Sequence, residues 1–323
     1  MFWGFRLFYL FALFARTRVS FFLRRRLRIW LMLELNFICF VRLLRQEFRV
    51  ANRNGNLYYF LIQRLGRVFI LLRILIFLIW NIKLFSLIFF SAILLKLGST
   101  PFQFWYLKLI QKISWKNIWL LSVWQKFIPL ILLKFSSSVI LILFGVINVL
   151  TRRLSSVKQK KIKKILGLSS LFSLGWVISV IALSEIWLWF ILGYGLVLIN
   201  LILSLISTQL LSVENLESSL RNPINLLVFF LNLLIVRGIP PFIVFYLKIL
   251  ILSLLIEFSF FIVLIYLVIS VFIIYIYLII RFSLLTFLKA RETSSKFTNI
   301  NKVSIFNILL QGLIFTVLIM AFI

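Results

Sequence analysis

The sequence predicts an all-α polytopic membrane protein, and three observations support this fold class. Apolar residues make up 63% of the 323 residues, against about 45–50% in soluble domains. Charged residues make up 13%, about half of the usual share. Runs of about 20 apolar residues recur from end to end, and each can cross about 30 Å of hydrocarbon. This composition excludes a soluble enzyme, a disordered chain and a secreted disulfide scaffold, since a soluble domain offers too little interior.

Eleven apolar segments are predicted to cross the membrane as helices, because every backbone polar group in lipid needs an internal partner. The first segment holds Arg16 and Arg18 and has no small-residue cleavage site, which favours a crossing over a cleaved signal. The sixth is short, and the ninth is too long for one straight helix. In chain order the segments are 2–23, 27–44, 57–80, 84–107, 117–134, 136–151, 165–183, 185–208, 223–256, 258–281 and 303–323.

The basic residues of the loops predict the orientation of the chain. Loops on the side of the N-terminus hold twenty Lys and Arg, and loops on the opposite side hold six. This excess places the N-terminus on the cytoplasmic or matrix side and, with an odd number of crossings, the C-terminus on the other side. The cluster from Arg24 to Arg28 lies on the side with fewer bases and departs from the rule.

Arginines inside the predicted segments carry two different expectations. Arg67 and Arg73 are expected to face lipid headgroups or a partner subunit. The others are expected to extend along the apolar surface to the interface; they are Arg6, Arg16, Arg18 and Arg64.

Lys96, Lys126 and Lys248 lie deep in apolar sequence. An ionisable group at that depth is costly and is therefore a functional-site hypothesis. Lysine suits a mobile proton carrier, whereas arginine is effectively always protonated. Glu34 is the one carboxylate well inside a segment, and pairing with a lysine would keep both groups charged. The alternative for Glu34 is an inert structural ion pair.

Helix-breaking residues accompany two of these lysines. Gly98 and Pro101 follow Lys96 in the fourth segment, and Gly238-Ile-Pro240-Pro241 precedes Lys248 in the ninth. Proline removes a backbone donor and clashes with the preceding turn. Broken backbone at membrane depth is tolerated only inside protein or beside a wet cavity.

The two broken segments are five apart in the count, which predicts two inverted five-helix units. The first unit would span residues 1–134 and the second 135–282, and residues 283–323 would form a loop and a C-terminal helix. Paired interrupted helices in two inverted halves are typical of the ion path of transporters. The alternative is two unrelated proline kinks.

The chain lacks the ligands of the common redox centres. It has no His and no Asp, its seven acidic residues are all Glu, and Cys39 is the single thiol. Haem, zinc and iron–sulfur sites need ligand sets that these counts exclude. The net charge of +29 is spread through apolar sequence, which favours anionic lipid such as cardiolipin, and not nucleic acid, as a partner.

Several motifs together resemble the subunit 2 family of NADH dehydrogenase, the antiporter-like membrane subunits of mitochondrial respiratory complex I. The run from Lys96 to Trp105 is similar to the family pattern K-L-G-x-x-P-F-H-x-W, and Trp124-Gln125-Lys126-x-x-Pro129 matches W-Q-K-x-x-P. Further matches are Lys164 to Trp176 with K-I-L-x-x-S-S-x-x-x-x-G-W, Gly238 to Pro241 with G-x-P-P, and Trp30 to Asn36 with W-x-x-x-E-x-N.

The resemblance implies a role for each of these residues. Glu34 and Lys96 would form a charged pair, Lys126 would link the two halves, and Lys248 would end a proton channel. The chain has Gln103 and Ser173 where the family often has His.

The implied function is proton translocation by a membrane-arm subunit of respiratory NADH:ubiquinone oxidoreductase. Flavin, iron–sulfur clusters and quinone would bind in partner subunits. The location would be the mitochondrial inner membrane, with the N-terminus in the matrix and the C-terminus in the intermembrane space. The alternatives are another antiporter-like subunit of that complex, 4 or 5, and a lipid-binding scaffold that pumps nothing.

A water-filled polar axis is expected to join the three lysines. Neighbouring helices lie about 8–10 Å apart, so lysines on different helices cannot pass a proton directly. Ser169 and Ser173 are four residues apart and share a helix face, and their hydroxyls could hold water. The alternative is that these hydroxyls bond only to carbonyls of their own helix.

Overall fold

The computed structural model describes residues 2–23, 25–47, 53–80, 86–136, 138–156, 159, 161–208, 232, 235–236 and 243–257. Regular structure in these ranges is helical. The first helices are α1 (Phe2–Phe22), α2 (Arg26–Glu47), α3 (Arg53–Trp80), α4 (Ser86–Leu97), α5 (Phe104–Lys112) and α6 (Trp115–Ser122). A 3₁₀ helix (Trp124–Lys126) leads into α7 (Phe127–Leu133), followed by α8 (Ser138–Ser156), α9 (Ile162–Val180), α10 (Ile186–Thr208) and α11 (Ile243–Glu257).

Helices α1 to α10 lie at the positions of the first eight predicted segments, and α11 lies within the ninth. By length and composition alone, two described helices could span a membrane, Ile162–Val180 and Ile186–Ile206. The other long helices carry internal charges, and Ile88–Leu97, Val139–Val149 and Ile243–Ile256 are shorter apolar stretches. Predicted segments ten and eleven, and the break at Gly238, Pro240 and Pro241, lie outside the described residues, so the two-unit division stays a prediction.

The fourth segment is interrupted where its Gly and Pro predict a break. Helix α4 ends at Leu97, and Gly98 has a φ of +67°, a left-handed conformation that favours glycine. The peptide between Thr100 and Pro101 is cis, and helix α5 begins at Phe104. Predicted segment 84–107 is therefore two helices joined by an irregular turn.

The fifth segment is also interrupted, although the sequence predicted one helix over 117–134. Helix α6 ends at Ser122, and the amide of Lys126 donates to the carbonyl of Val123 over 3.3 Å. Pro129 lies in the first turn of α7, where its missing N–H removes no helical hydrogen bond. The short 3₁₀ helix thus ends at Lys126, and this lysine sits at a helix junction.

Two glycines, Gly145 and Gly175, allow α8 and α9 to approach each other closely. A Cβ on Gly145 would lie 2.8 Å from the carbonyl oxygen of Gly175, and a Cβ on Gly175 would lie 2.6 Å from Val149 Cγ2. Small residues allow the backbones of membrane helices to approach closely. This contact fixes α9, which carries the serines of the site, against α8.

Candidate functional site

Three buried lysines define the candidate site. Lys96 near the end of α4, Lys126 at the end of the 3₁₀ helix and Lys248 in α11 are 5%, 4% and 4% exposed. Lysine is almost never this buried unless it is partnered or functional. The sequence prediction that these three lysines lie inside the protein is consistent with this burial.

The structure pairs Glu34 with Arg67 of α3, and not with Lys96 as expected. The carboxylate of Glu34 and the guanidinium of Arg67 form an ion pair. Arg67 Nε also donates to the carbonyl of Gln63 over 3.2 Å, and Arg67 Cζ lies 3.9 Å from the ring centroid of Phe37. Because α3 packs directly against α2, the arginine occupies the position expected for the lysine. The expectation that Arg67 faces lipid or a partner is therefore wrong.

Lys96 lies next to this ion pair. Among the described residues its Nζ has no hydrogen-bond partner, and the charge of Arg67 repels it. The side-chain amide of Gln63 donates to the carbonyl of Lys96 over 3.1 Å. A Cβ on Gly66 would lie 2.9 Å from Lys96 Cγ, so this glycine makes room for the lysine stem.

A small polar cavity joins Lys96 to Lys126. Its volume is about 20 Å³, and its lining includes both lysines and the side chains of Asn36, Gln63 and Gln125. Such a volume is sufficient for one water molecule. Asn36 Nδ2 donates to Gln125 Oε1 over 3.1 Å. Asn36 Oδ1 and Gln125 Nε2 have no hydrogen-bond partner among the described residues, which leaves an acceptor and a donor for such a molecule.

Lys126 is fixed to the middle of α9. Its Nζ donates to the carbonyl of Ser170 over 2.9 Å and lies 5.3 Å from the ring centroid of Tyr106. The hydroxyls of Tyr106 and Ser170 are 2.6 Å apart. Helix α5 thus contributes a tyrosine that contacts both the lysine and the helix that holds it.

Ser169 and Ser173 both bond to carbonyls of their own helix, but Ser169 also bonds to a neighbouring helix, so the alternative of bonds to their own helix alone does not hold for this serine. Ser169 Oγ donates to Leu166 over 2.8 Å, and Ser173 Oγ donates to Ser170 over 2.9 Å. The hydroxyl of Ser169 also lies 3.2 Å from the hydroxyl of Tyr194 in α10 and hydrogen bonds to it. This serine therefore faces the protein interior.

Lys248 lies beside aromatic rings of α9. Its Nζ is 5.3 Å from the ring centroid of Phe172 and 5.8 Å from that of Trp176. Both distances are within the range of a cation–π interaction. Two aromatic rings of α9 therefore lie beside the ammonium group of Lys248.

Asn148 of α8 was missed by sequence reasoning. Its Oδ1 accepts from the backbone amide of Thr100 over 3.3 Å, and its Nδ2 donates to the carbonyl of Leu171 over 3.1 Å. The residue is 1% exposed and connects the break between α4 and α5 to α9. An isolated asparagine in an apolar helix was the available signal.

Two further arginines differ from their expected placement. Arg16 Nη1 donates to the carbonyl of Leu35 over 2.6 Å and to Cys39 Sγ over 2.7 Å, so it bonds across to α2 and does not extend to the interface. Arg73 is 8% exposed and therefore does not face the lipid broadly. Arg16 thus interacts with α2, and the burial of Arg73 places its side chain inside the protein.

Residues 26–274 match the family model described as NADH:quinone oxidoreductase/Mrp antiporter, transmembrane. The chain belongs to this family. It is similar to NADH-ubiquinone oxidoreductase chain 2 of Anopheles gambiae, with 30% identity over 224 residues that cover 66% of each chain. The same protein of Locusta migratoria is 26% identical over 66% of this chain and 65% of its own. The chain thus spans just under two thirds of these relatives, and the resemblance seen in the motifs is confirmed.

Solved structures show the same fold. A chain of respiratory complex I from Thermus thermophilus with bound Aureothin has a TM-score of 0.67 at 20% identity, covering 77% of this chain and 62% of its own. A chain of the archaeal membrane-bound sulfane sulfur reductase has a TM-score of 0.73 at 14% identity, covering 90% and 68%. The all-helical, antiporter-like membrane fold is therefore established.

Proposed function

We propose that this chain is a proton-translocating membrane-arm subunit of respiratory NADH:ubiquinone oxidoreductase, equivalent to chain 2 of the insect relatives. The observation that carries the proposal is the polar cavity shared by Lys96 and Lys126. Each lysine occupies a position that matches a family motif. Family membership and the names of the relatives support the assignment of this chain to that complex.

The proton would pass between lysines through water and amide side chains. A water molecule in the cavity could accept from one lysine and donate toward the Asn36–Gln125 pair. Arg67 keeps its proton under all working conditions, so proton exchange falls to Lys96. Lys248 would end the path, and Glu34 would hold the fixed charge of Arg67 in place. Moving one charge against about 100 mV costs about 2.3 kcal/mol.

The remaining features of the subunit follow from its place in the complex. NADH, flavin, iron–sulfur clusters and quinone would bind to other subunits, and the partners would be further membrane-arm and accessory subunits. The location would be the mitochondrial inner membrane. The loop charges support an N-terminus in the matrix and a C-terminus in the intermembrane space.

Two other functions are weaker candidates. Subunit 4 of the same complex usually ends its relay with Glu, whereas this chain has Lys248, and subunit 5 is longer with a lateral helix. A lipid-binding scaffold would explain the apolar surface and the net charge of +29. It would give no reason for an amide-lined cavity between two buried lysines.

The test is the variant Lys96→Met in the assembled complex. We expect proton pumping per NADH oxidised to fall strongly, measured with the complex reconstituted in vesicles. Lys112→Met removes the same charge at an exposed position of α5 and should pump normally. Lys96→Arg keeps the charge but cannot exchange its proton, so it should assemble and still pump poorly. Full pumping by both Lys96 variants would remove Lys96 from the path and favour the scaffold.

A further inference from the structure

A pair of hydroxyl groups lies between α5 and α9, next to the lysine site. Tyr106 and Ser170 are 1% and 0% exposed, and their hydroxyl oxygens are 2.6 Å apart. The backbone carbonyl of Ser170 also accepts from Lys126 Nζ over 2.9 Å. One residue of α9 therefore binds both the tyrosine of α5 and the second lysine of the proposed path.

The direction of the hydrogen bond in this pair follows from a third contact. Ser170 Oγ donates to the carbonyl of Gly167 over 2.8 Å. A serine hydroxyl has one hydrogen to donate and lone pairs that accept, so Tyr106 is the donor to Ser170. A proton passed along these hydroxyls would arrive at a backbone carbonyl, which cannot hand it on. The pair is therefore suited to holding Tyr106 in place and not to carrying the proton.

The side chain of Tyr106 is held at both of its ends. At the hydroxyl end, Ser170 accepts its hydrogen bond. At the other end, a Cβ on Gly98 would lie 2.9 Å from Tyr106 Cβ, so the turn between α4 and α5 packs directly against the base of the tyrosine. Between these ends, Lys126 Nζ lies 5.3 Å from the ring centroid, within the range of a cation–π interaction.

Lys126 is thus held by two groups that do not compete for its proton. A carbonyl and an aromatic ring both attract an ammonium group, whereas a carboxylate would bind it about twice as strongly. The chain has no His that could take the proton instead. Tyr106 also lines the polar cavity shared by Lys96 and Lys126. The side chain that holds the ammonium group therefore lies beside the water that would accept its proton.

We propose that Tyr106, anchored on the hydroxyl of Ser170, is a positioning residue that holds the ammonium group of Lys126 beside the polar cavity. The role rests on the proposed function, since the place of Lys126 matters here because the lysine exchanges a proton. A purely structural bond between α5 and α9 would stabilise the fold and leave the position of the ammonium group unchanged.

The test removes each half of the hydroxyl pair in the assembled complex, reconstituted in vesicles. Tyr106→Phe keeps the ring and loses the anchor, and Ser170→Ala loses the acceptor while its carbonyl stays available to Lys126. In each variant we expect the rate of proton pumping to fall about 5-fold, a size usual for residues that act through a network of contacts. Tyr106→Phe/Ser170→Ala should lose no more than either single variant, because both changes break the same hydrogen bond.

Two control variants remove a hydroxyl elsewhere. Ser179→Ala takes away a buried hydroxyl of α9 that donates to the carbonyl of Trp176 in its own helix over 2.8 Å. Tyr58→Phe takes away the hydroxyl of an exposed tyrosine whose ring centroid lies 5.6 Å from Lys108 Nζ. Both complexes should pump at the wild-type rate. Equally slow pumping by both controls would overturn the role of Tyr106, since the loss of any hydroxyl would then have the same effect.

A second measurement follows the ammonium group itself in the purified full chain in lipid. With ¹⁵N at lysine Nζ and ¹³C at serine carbonyls, solid-state NMR detects the contact between Lys126 and Ser170 as a dipolar coupling. The signal of Lys126 is the one that Lys126→Met lacks. Tyr106→Phe should weaken this coupling, and Ser179→Ala should keep it, whereas a purely structural bond predicts the wild-type coupling in both.

Three results would each overturn the positioning role of Tyr106: full pumping by Tyr106→Phe, additive losses in the double variant, or an unchanged coupling in Tyr106→Phe. The proposed function fails by a different result, which is full pumping by both Lys96 variants. The NMR coupling is measured without pumping, so the two failures are distinguishable.

Discussion

The surroundings of the first two lysines differ sharply from those of the third. The cavity beside Lys96 and Lys126 is lined by aromatic and apolar residues and also by the amides of Asn36, Gln63 and Gln125, and we call these three amides with the two lysines the amide region. Around Lys248 it places the rings of Phe172 and Trp176, which we call the aromatic region. Family motifs mark the lysines of both regions in the same way.

The difference teaches that a motif locates a lysine without specifying what surrounds it. Amide side chains both donate and accept hydrogen bonds, so they can hold water beside a lysine. Aromatic rings attract a cation through their negative faces and offer it no acceptor lone pair. The amide region is therefore suited to passing a proton between two lysines, and the aromatic region is suited to holding the ammonium form of the lysine at which the proposed path ends.

The largest effect is expected for Arg67→Met in the amide region. Removing the guanidinium leaves the carboxylate of Glu34 inside the protein without its ion-pair partner. Breaking one side of a buried pair costs about 3–5 kcal/mol, and Glu34 is 24% exposed, so about 3 kcal/mol is expected. The measurement is the free energy of unfolding of the full chain, titrated with denaturant in mixed micelles.

The double variant Glu34→Gln/Arg67→Met provides the control. It removes both charges and should recover most of the stability. If Arg67→Met alone has wild-type stability, Glu34 does not depend on Arg67. The amide region would then be organised by another cation.

A smaller difference in the free energy of unfolding is expected between two glycine-to-alanine variants, Gly66→Ala beside the amide region and Gly175→Ala beside the aromatic region. In Gly175→Ala the new Cβ meets Val149 Cγ2 at 2.6 Å and the carbonyl oxygen of Gly145 at 2.9 Å. Overpacking of this kind costs about 1–3 kcal/mol, partly offset by about 1 kcal/mol of helix propensity. In Gly66→Ala the nearest atom is Lys96 Cγ at 2.9 Å, near the base of a buried side chain, so Lys96 must shift to make room.

Gly175→Ala should therefore lower the free energy of unfolding more than Gly66→Ala does, since the contacts of Gly175 are shorter and include backbone, and Gly66→Ala should displace Lys96. Unfolding titrations of both full-length variants, with proton pumping of the complex that contains Gly66→Ala, test this pair. Equal stability losses would show that Lys96 is as tightly packed as the α8–α9 contact.

Much of the helical layout could be predicted from hydropathy and from Gly and Pro. Apolar runs located helices α1 to α10, and Gly98 with Pro101 located the break after α4. The interruption at Lys126 was missed because a proline in the first turn of a helix is compatible with a continuous apolar run. Hydropathy gives the depth of a residue and not the rotation of its helix.

The partner of each buried charged side chain depends on how its helix is rotated about its own axis. Glu34 had Lys96 and Arg67 at similar depth, and the sequence alone could not choose between them. Gln63 and Arg67 are four residues apart and therefore share one face of α3. Two polar side chains on one face of an apolar helix were the one signal that Arg67 points into the protein. Phe172 stands beside Ser173, yet the serine and not the ring was expected to matter.

The smallest effect concerns Lys248 and Phe172 in the aromatic region. A double-mutant cycle with Phe172→Leu and Lys248→Met, read as free energy of unfolding of the full chain, should give a coupling of about 1 kcal/mol, the usual strength of a cation–π contact. Phe144 is a half-buried phenylalanine of α8 whose ring packs on Phe90, so the same cycle with Phe144→Leu should give no coupling. A zero value for the first cycle would mean that the rings do not hold the ammonium group. The aromatic region would then differ from the amide region in shape only, and the contrast in proton exchange between the two would lose its physical basis.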